Sequence, residues 1–177
     1  MKLNGSPIKM MRLKAYLKDG MNAAAVMSLG DAIAQFLFDK KPLDELDAGR
    51  TLRFGILGLV FVGPALRRWY LFLESRISKT YSPMRRGVTK MLVDQALFAP
   101  PFTMAMSFLV PLANGEPIDR IRQRILDSYP SILIRNYMLW PAAQIFNFRF
   151  VPLGYQVLYA QFIALVWNCY LSLILNS

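Results

Sequence analysis

The sequence predicts an all-α, polytopic membrane helix bundle with about four transmembrane spans and surface amphipathic helices. Hydrophobic residues make up 55% of the 177 residues and charged residues only 18%, which is too apolar for an ordinary soluble domain. Several apolar runs approach the ~20 residues that a helix needs to cross a bilayer. Polar side chains interrupt these runs at helical spacing. Because four spans use most of the chain, residues 1–177 are predicted to form one membrane domain.

Basic residues are unevenly distributed along the chain, which has a formal net charge of +10. Residues 1–18 and 75–93 contain Lys and Arg but no acid, whereas acids and cations are equal in number in residues 39–53 and in residues 116–127. By the positive-inside rule, we expect the N-terminus, the 75–93 connector and the C-terminus to share the matrix-like or cytosol-like side. The bilayer and its anionic headgroups are therefore the predicted partners, and no direct nucleic-acid binding is expected.

Residue types that support catalysis are scarce in this sequence. It has no histidine, which removes the commonest metal ligand and the commonest acid–base group at neutral pH. Its one cysteine, Cys169, excludes a disulfide or a zinc cluster within one chain. The nucleophile elbow and the phosphate-binding glycine loops do not occur in the sequence. We therefore predict no enzyme activity, no cofactor and no metal site.

The first predicted span runs from Met21 to Phe38 and follows the basic segment 1–18. That segment is either a surface helix on anionic lipid or an uncleaved mitochondrial address. Asp31 and Gln35 lie one turn apart on the span and are expected to face inward. They either line a passage or form a structural hydrogen bond with another helix.

The second predicted span runs from Thr51 to Tyr70. Three glycines on one side of it permit close contact with a neighbouring helix, namely Gly55, Gly58 and Gly63. Pro64 is expected to bend or end the helix. The cations and aromatic residues that follow suit the headgroup boundary; they are Arg67, Arg68, Trp69 and Tyr70.

The third predicted span starts near Val88 and reaches Ala113. Lys90 and Asp94, at positions i and i+4, either form an ion pair at the interface or take part in gating, and Gln95 follows them. Three prolines interrupt the run, so that a broken helix is expected at membrane depth, where protein or water must satisfy the freed carbonyls. These prolines are Pro100, Pro101 and Pro111. The third span is therefore a candidate hinge or constriction.

Residues 116–129 are predicted to form an amphipathic helix on the membrane surface. A fourth span from about Pro130 to Phe148 contains Pro141, so that a kink is expected one turn upstream. Val151–Leu175 is the fifth hydrophobic run. Five runs for four crossings leave two alternatives: the first run lies partly at the interface, or all five cross and the chain ends lie on opposite sides.

Two polar stripes mark the C-terminal part of the chain. One stripe contains Asn136, Trp140, Gln144 and Asn147, and the other contains Gln161, Leu165, Asn168 and Ser172. Amides in hydrocarbon are costly unless they are paired. The stripes are therefore predicted to face a bundle interior or a water-filled passage.

The order of these motifs resembles the Mpv-seventeen and peroxisomal-membrane-protein family over nearly the whole chain. The motif residues, besides those of the polar stripes, are Asp31, Gln35, Gly63, Pro64, Trp69, Tyr70, Lys90, Asp94, Gln95, Pro100, Pro141, Pro152 and Trp167. The resemblance implies a protein of the mitochondrial inner membrane, with the peroxisomal membrane as the alternative. It also implies a non-selective or weakly selective channel that affects membrane potential, reactive oxygen species, nucleotide supply and maintenance of mitochondrial DNA.

The favoured function is a passive channel for small solutes or metabolites, and a homo-oligomer is a possible assembly. Its predicted lining consists of Asp31, Gln35, Asp94, Gln95, Gln144, Asn147, Gln161 and Asn168. A structural membrane scaffold is one alternative, in which the polar stripes only hold the bundle together. A carrier with alternating access is another.

Overall fold

The structure, a computed structural model, describes residues 7–37 and 39–175, and the side chains of residues 13–37 and 39–166. The described residues form five long helices and no strand, which confirms the all-α class. The helices are α1 (Pro7–Leu37), α2 (Ala48–Arg76), α3 (Pro83–Ala113), α4 (Ile118–Phe150) and α5 (Gln156–Leu175). A short 3₁₀ turn, Leu43–Glu45, lies between α1 and α2.

Successive helices run antiparallel. The start of α2 meets the end of α3, where Arg53 Nε donates to the carbonyl oxygen of Ala113 at 2.6 Å. The fifth helix runs parallel to the first, because Lys18 Nζ lies 4.9 Å from the ring centre of Tyr155 and Gly30 lies beside Leu165. The described part of the basic N-terminal segment, from Pro7 onward, therefore shares one end of the bundle with the connectors 77–82 and 151–155. This end is called here the basic end.

This topology corrects one expectation about the chain ends. Because α5 starts at the basic end and runs parallel to α1, Leu175 is directed toward the opposite end from Pro7. The C-terminus was expected on the side of the N-terminus. Among the described residues, the start of α1 and the end of α5 instead lie at opposite ends of the bundle, as in the alternative in which all five runs cross. The number of crossings stays a prediction.

Glycines set the contact between α1 and α2, as the sequence predicted. A Cβ atom on Gly63 would lie 2.6 Å from Gly20 Cα and 2.7 Å from the carbonyl oxygen of Asp19. A Cβ atom on Gly58 would lie 2.7 Å from backbone atoms of Ala23. Only glycine, which has no Cβ atom, allows two helix backbones to approach this closely.

Each of α2 and α3 contains a π turn just before a proline. In α2 the turn spans Gly58–Val62, and the amide of Gly63 donates to the carbonyl oxygen of Gly58. Pro64 follows without an amide hydrogen, yet the helix continues to Arg76. Pro64 was expected to bend or to end the helix, and of these two alternatives the end is wrong. The helix continues because the π turn widens the backbone at the position where Pro64 cannot donate a hydrogen bond.

The π turn of α3 spans Asp94–Phe98, and the amide of Ala99 donates to the carbonyl oxygen of Asp94. The carbonyl oxygen of Gln95 would then need an amide from Pro100, which has none. The hydroxyl of Tyr137 on α4 donates to it instead, at 3.0 Å. The predicted interruption of the third span is thus a local π turn within a continuous helix, and protein satisfies the freed carbonyl as expected.

Two segments that the sequence separated belong to single helices. The basic N-terminal segment, from Pro7 onward, continues into α1, which has 31 residues. The amphipathic segment continues through Pro130 and Pro141 in α4, whose 33 residues span about 50 Å. The amphipathic segment is therefore the start of α4 rather than a helix of its own, and its position at the membrane surface stays a prediction. A helix of this length extends beyond the ~30 Å hydrocarbon layer, so that its charged first third can lie outside it.

Within the described part of the chain, α2 and α3 are each long and apolar enough to cross a membrane, and residues Gln156–Val166 form a shorter apolar helical segment. Large apolar side chains remain exposed on outer faces of several helices, among them Val60, Leu97, Ile134, Met138 and Phe162. Such a surface suits lipid rather than water. The core packs inside, where Tyr70 meets Phe148 edge to face with ring centres 5.3 Å apart.

Candidate functional site

Asp94 is the centre of a buried polar cluster at the π turn of α3. Its side chain is 1% exposed. Trp69 Nε1 on α2 donates to Oδ1 at 2.7 Å, and Gln95 Nε2 donates to Oδ2 at 2.8 Å. The π turn matters here because it changes the direction of the side chains that follow each other on α3. Asp94 and its neighbour Gln95 both reach the interior as a result.

The helix α4 supplies the third donor to Asp94. Gln144 Nε2 lies 3.1 Å from Asp94 Oδ2 and 3.2 Å from the hydroxyl oxygen of Tyr70. Asn147, one turn further along α4, donates to Gln144 Oε1 at 3.0 Å and to the carbonyl oxygen of Gln156 at 3.3 Å. The Asp94 cluster, defined as Trp69, Tyr70, Asp94, Gln95, Gln144 and Asn147, therefore connects α2, α3, α4 and the start of α5.

All three donors to Asp94 are uncharged N–H groups. None of the ion pairs found among the described side chains includes this carboxylate. A buried carboxylate without a cation beside it is energetically costly, and hydrogen bonds from neutral donors offset only part of that cost. This combination of burial and neutral partners distinguishes Asp94 from the other buried acids.

The predicted ion pair between Lys90 and Asp94 does not form. Lys90 Nζ instead lies 2.5 Å from Glu74 Oε2 on α2, and Arg86 donates to Glu74 Oε1 at 2.6 Å. Lys90 is 2% exposed and belongs to a link between α2 and α3. The partner across the interface is closer than the one a turn away, so the expectation based on i, i+4 spacing is wrong.

Trp69 and Tyr70 also differ from their predicted surroundings. The sequence placed them at the headgroup boundary, but Tyr70 is 1% exposed and Trp69 is half-buried against the core. The indole of Trp69 is stacked on Phe98, with ring centres 5.0 Å apart. Their polar atoms face the Asp94 cluster because the acid on the neighbouring helix provides an acceptor.

Asp31 is the centre of a second cluster near the opposite end of the bundle. Arg50 Nε donates to its Oδ1 at 2.7 Å, while Thr51 Oγ1 and Gln35 Nε2 donate to its Oδ2 at 2.7 and 2.8 Å. Gln35 also accepts the backbone amide of Asp47 at 2.7 Å. Of the two sequence-based interpretations, the structure shows the hydrogen bonds to another helix.

Asp47 begins α2 as its N-cap, and its side chain accepts the backbone amide of Arg50 at 2.8 Å. That hydrogen bond lowers the pKa of the Asp47 carboxyl, and the nearby cations Arg53 and Lys41 lower it further. Capping satisfies one of the free amides at the start of the helix. It also positions Arg50 and Thr51 to reach Asp31.

The remaining predicted site residues fall into three groups. Gln161 is buried on α5, 5% exposed, and Trp140 packs against the core beside Pro141 in α4. Pro152 is exposed in the turn before α5, where its carbonyl oxygen accepts the amide of Tyr155. The side chains of Trp167 and Asn168 lie outside the described residues.

Sequence reasoning missed several residues that complete these clusters. Arg50, Thr51 and Glu74 are all hydrogen-bonded to predicted residues. Arg67 lies 3.4 Å from the buried Asp19 and donates to the carbonyl oxygen of Leu153 at 3.4 Å. The sequence places single charged residues within apolar runs, and this pattern indicates that they are paired in the fold. It does not indicate which of them are paired with each other.

An antiparallel bundle of long helices, with an apolar exterior and buried polar clusters, defines a polytopic helical membrane protein. The model of the Mpv17 / PMP22 family matches residues 111–172. A fruit-fly protein, the mitochondrial inner membrane protein Mpv17 of Drosophila melanogaster, is 88% identical over 168 residues, which are 95% of this chain and 100% of the relative. The chain therefore belongs to the Mpv17 / PMP22 family, as its motifs indicated.

More distant relatives agree with this assignment. The human mitochondrial inner membrane protein Mpv17 is 41% identical over 152 residues, which are 86% of this chain and 85% of the relative. Protein sym-1 of Neurospora crassa is 35% identical over 156 residues, 88% of this chain and 89% of the relative. No solved structure matches the chain. The predicted location in the mitochondrial inner membrane is confirmed by these relatives.

Proposed function

We propose that the protein is a passive, weakly selective channel for small solutes, and that the Asp94 cluster lies at its constriction. One observation carries the proposal: Asp94 is 1% exposed, at a π turn of a membrane-crossing helix, and has three uncharged donors. Ionisable residues within membrane segments are rare and usually mark the path of an ion or solute. Turns of the π type occur frequently at functional sites.

The arrangement corresponds to a closed passage. Gln144 and Asn147 are 4% and 0% exposed, and the NH₂ groups of their side chains donate to acceptors within the protein. Opening would require α4 to move away from α2 and α3, because Gln144 and Asn147 belong to α4. The α2–α3 pair is held together by the Glu74 ion pairs and by stacked aromatic rings. We therefore expect α2 and α3 to move as one unit.

Weak selectivity follows from two opposing charge effects. A carboxylate at the constriction favours cations, whereas the Lys and Arg residues at the basic end attract anionic metabolites to that side. A channel of this kind would influence membrane potential, the production of reactive oxygen species and the nucleotide supply that mitochondrial DNA maintenance requires. Homo-oligomerisation and the absence of enzyme activity stay predictions.

Conductance in planar bilayers tests the proposal. Purified wild-type protein should give steady conductance, and Asp94→Asn and Gln144→Leu should each abolish or strongly change it. Asp44→Asn is a matched control, because it removes the same charge from an exposed turn outside the cluster. Equal effects of Asp94→Asn and Asp44→Asn would show that the conductance responds to surface charge and would contradict a role for the Asp94 cluster.

A structural scaffold is the second candidate, and a specific observation favours it. The donors of the Asp31 and Asp94 clusters bond to acceptors on neighbouring helices, as expected for groups that hold a bundle together. Absence of conductance from correctly folded wild-type protein would support the scaffold. Saturable uptake of one solute into liposomes would instead support a carrier with alternating access.

A further inference from the structure

An open cavity of about 460 Å³ lies at the basic end of the bundle, and the residues that line it belong to the end of α2 and the start of the turn that follows. Arg76 and Lys79 supply cations to its lining, and Leu71 and Ile77 supply apolar surface. The hydroxyl-bearing residues Ser75 and Ser78 also line it. The cavity lies at one end of α2, which is long and apolar enough to cross a membrane.

The charge of this cavity is not balanced by the acid that lines it. Both carboxylate oxygens of Glu74 are occupied, one by Arg86 and one by Lys90, at 2.6 and 2.5 Å. Arg76 and Lys79 are exposed, and neither takes part in the ion pairs found among the described side chains. The lining therefore offers two free cations to an anion.

Phe72 gives one of these cations a defined position. The guanidinium of Arg76 lies 5.5 Å from the ring centre of Phe72, on the same helix. Contact with an aromatic face limits the freedom of the long arginine side chain. Less conformational entropy is then lost when an anion binds.

The combination of groups fits a phospholipid better than a free anion. The two cations suit a phosphate diester, whereas the hydroxyls of Ser75 and Ser78 already bond to the carbonyl oxygen of Phe72 and to Thr80. The apolar side chains of Leu71 and Ile77 suit the first part of an acyl chain. Basic pockets between membrane helices are known binding sites for anionic headgroups. Free phosphate has no apolar group that could contact Leu71 and Ile77.

We propose that this cavity is a binding site for an anionic phospholipid, with its phosphate between Arg76 and Lys79 and an acyl chain against Leu71 and Ile77. The site lies on the α2–α3 turn, apart from the Asp94 cluster. It does not depend on whether the protein conducts solutes. A bound lipid would hold the end of α2 and the turn that follows it at the membrane surface.

Spin-labelled lipids provide the test. The full chain is reconstituted into phosphatidylcholine nanodiscs with a trace of spin-labelled phosphatidylglycerol or spin-labelled phosphatidylcholine. The fraction of motionally restricted label then gives the relative association constant. A surface cation contributes about fivefold to the binding of an anionic lipid at low salt, so we expect a preference of up to about 25-fold from the two cations. The double variant Arg76→Gln with Lys79→Gln should abolish this preference.

Arg120→Gln with Arg122→Gln is the matched control, because it removes two exposed cations from α4 at the opposite end of the bundle. It should leave the preference unchanged. Equal losses in both double variants would assign the preference to bulk charge and overturn the proposal. Displacement of the labelled lipid by inorganic phosphate, but not by chloride at the same ionic strength, would also overturn it, since the cavity would then be a site for free anions. Circular dichroism confirms that each variant retains its helices.

Discussion

The indole nitrogen of Trp69 donates a hydrogen bond of 2.7 Å to the carboxylate of Asp94. The same indole ring stacks on Phe98 and on Phe72, with ring centres 5.0 and 5.3 Å away. The stack holds the ring in position, so that the donor stays directed at the acid on the neighbouring helix. This contact therefore couples the packing of α2 and α3 to a buried acid that belongs to none of the ion pairs found among the described side chains.

Replacing Trp69 by Phe tests this contact. The variant keeps an aromatic ring but removes the donor, and loss of a hydrogen bond to a charged group costs about 1.5–3 kcal/mol. Thermal unfolding in detergent should show the corresponding loss of stability. Trp140→Phe removes an indole that packs against the same core and should cost less. Equal losses in both variants would mean that ring area, rather than the bond to Asp94, determines the effect.

Two acids that bind the same arginine should differ in their contribution to stability. Asp31 has a fully buried side chain, whereas the side chain of Asp39 is 38% exposed, and both are paired with Arg50. Asp31→Asn should destabilise the fold by about 3 kcal/mol, because it breaks a buried pair. Asp39→Asn should cost less than about 1 kcal/mol, because water screens exposed pairs. Chemical unfolding of the two variants measures the difference, and a larger loss in Asp39→Asn would contradict it.

Gly63→Ala should weaken the contact between α1 and α2. The new methyl group would meet backbone atoms of Gly20 and Asp19 at 2.6 and 2.7 Å, and backbone cannot move aside without separating the helices. Overpacking of this kind costs about 1–3 kcal/mol. Gly154→Ala is the control, since nothing lies within 4 Å of its added methyl group. The melting temperature should fall only in the first variant, and an unchanged value there would show that the helices can separate without cost.

The N-cap of α2 predicts a specific dependence on pH. The folded pKa of Asp47 is lowered, first of all by its bond to the amide of Arg50. Its contribution to stability is therefore present above the unfolded pKa of about 3.9 and is lost as the pH falls through the lower, folded value. Melting temperatures of wild type and Asp47→Asn should converge over that acidic interval. A constant difference between the two proteins down to the lowest pH would contradict the assignment.

Several parts of the fold and site could be predicted from the sequence. The helical class, the inward orientation of Asp31 and Gln144 and the packing role of Gly63 all depend on composition and on helical periodicity, which are local properties. The partners were not predictable in the same way. Lys90 lies one turn from Asp94, yet its partner is Glu74, sixteen residues away on another helix. Which of two acids a lysine reaches depends on how the helices cross.

The sequence by itself determined that apolar helices carry polar stripes on their inner faces, because hydrocarbon excludes unpaired polar groups and the helical repeat places such residues on one side. Only the tertiary structure decided which donor meets which acceptor, and that π turns before Pro64 and Pro100 keep two helices continuous. The physical reason is that hydropathy is a property of single residues, whereas a contact is a property of two residues that can be far apart in the chain. Hydropathy acts residue by residue, whereas a hydrogen bond requires two atoms within about 3 Å, and that distance is set by the relative positions of whole helices.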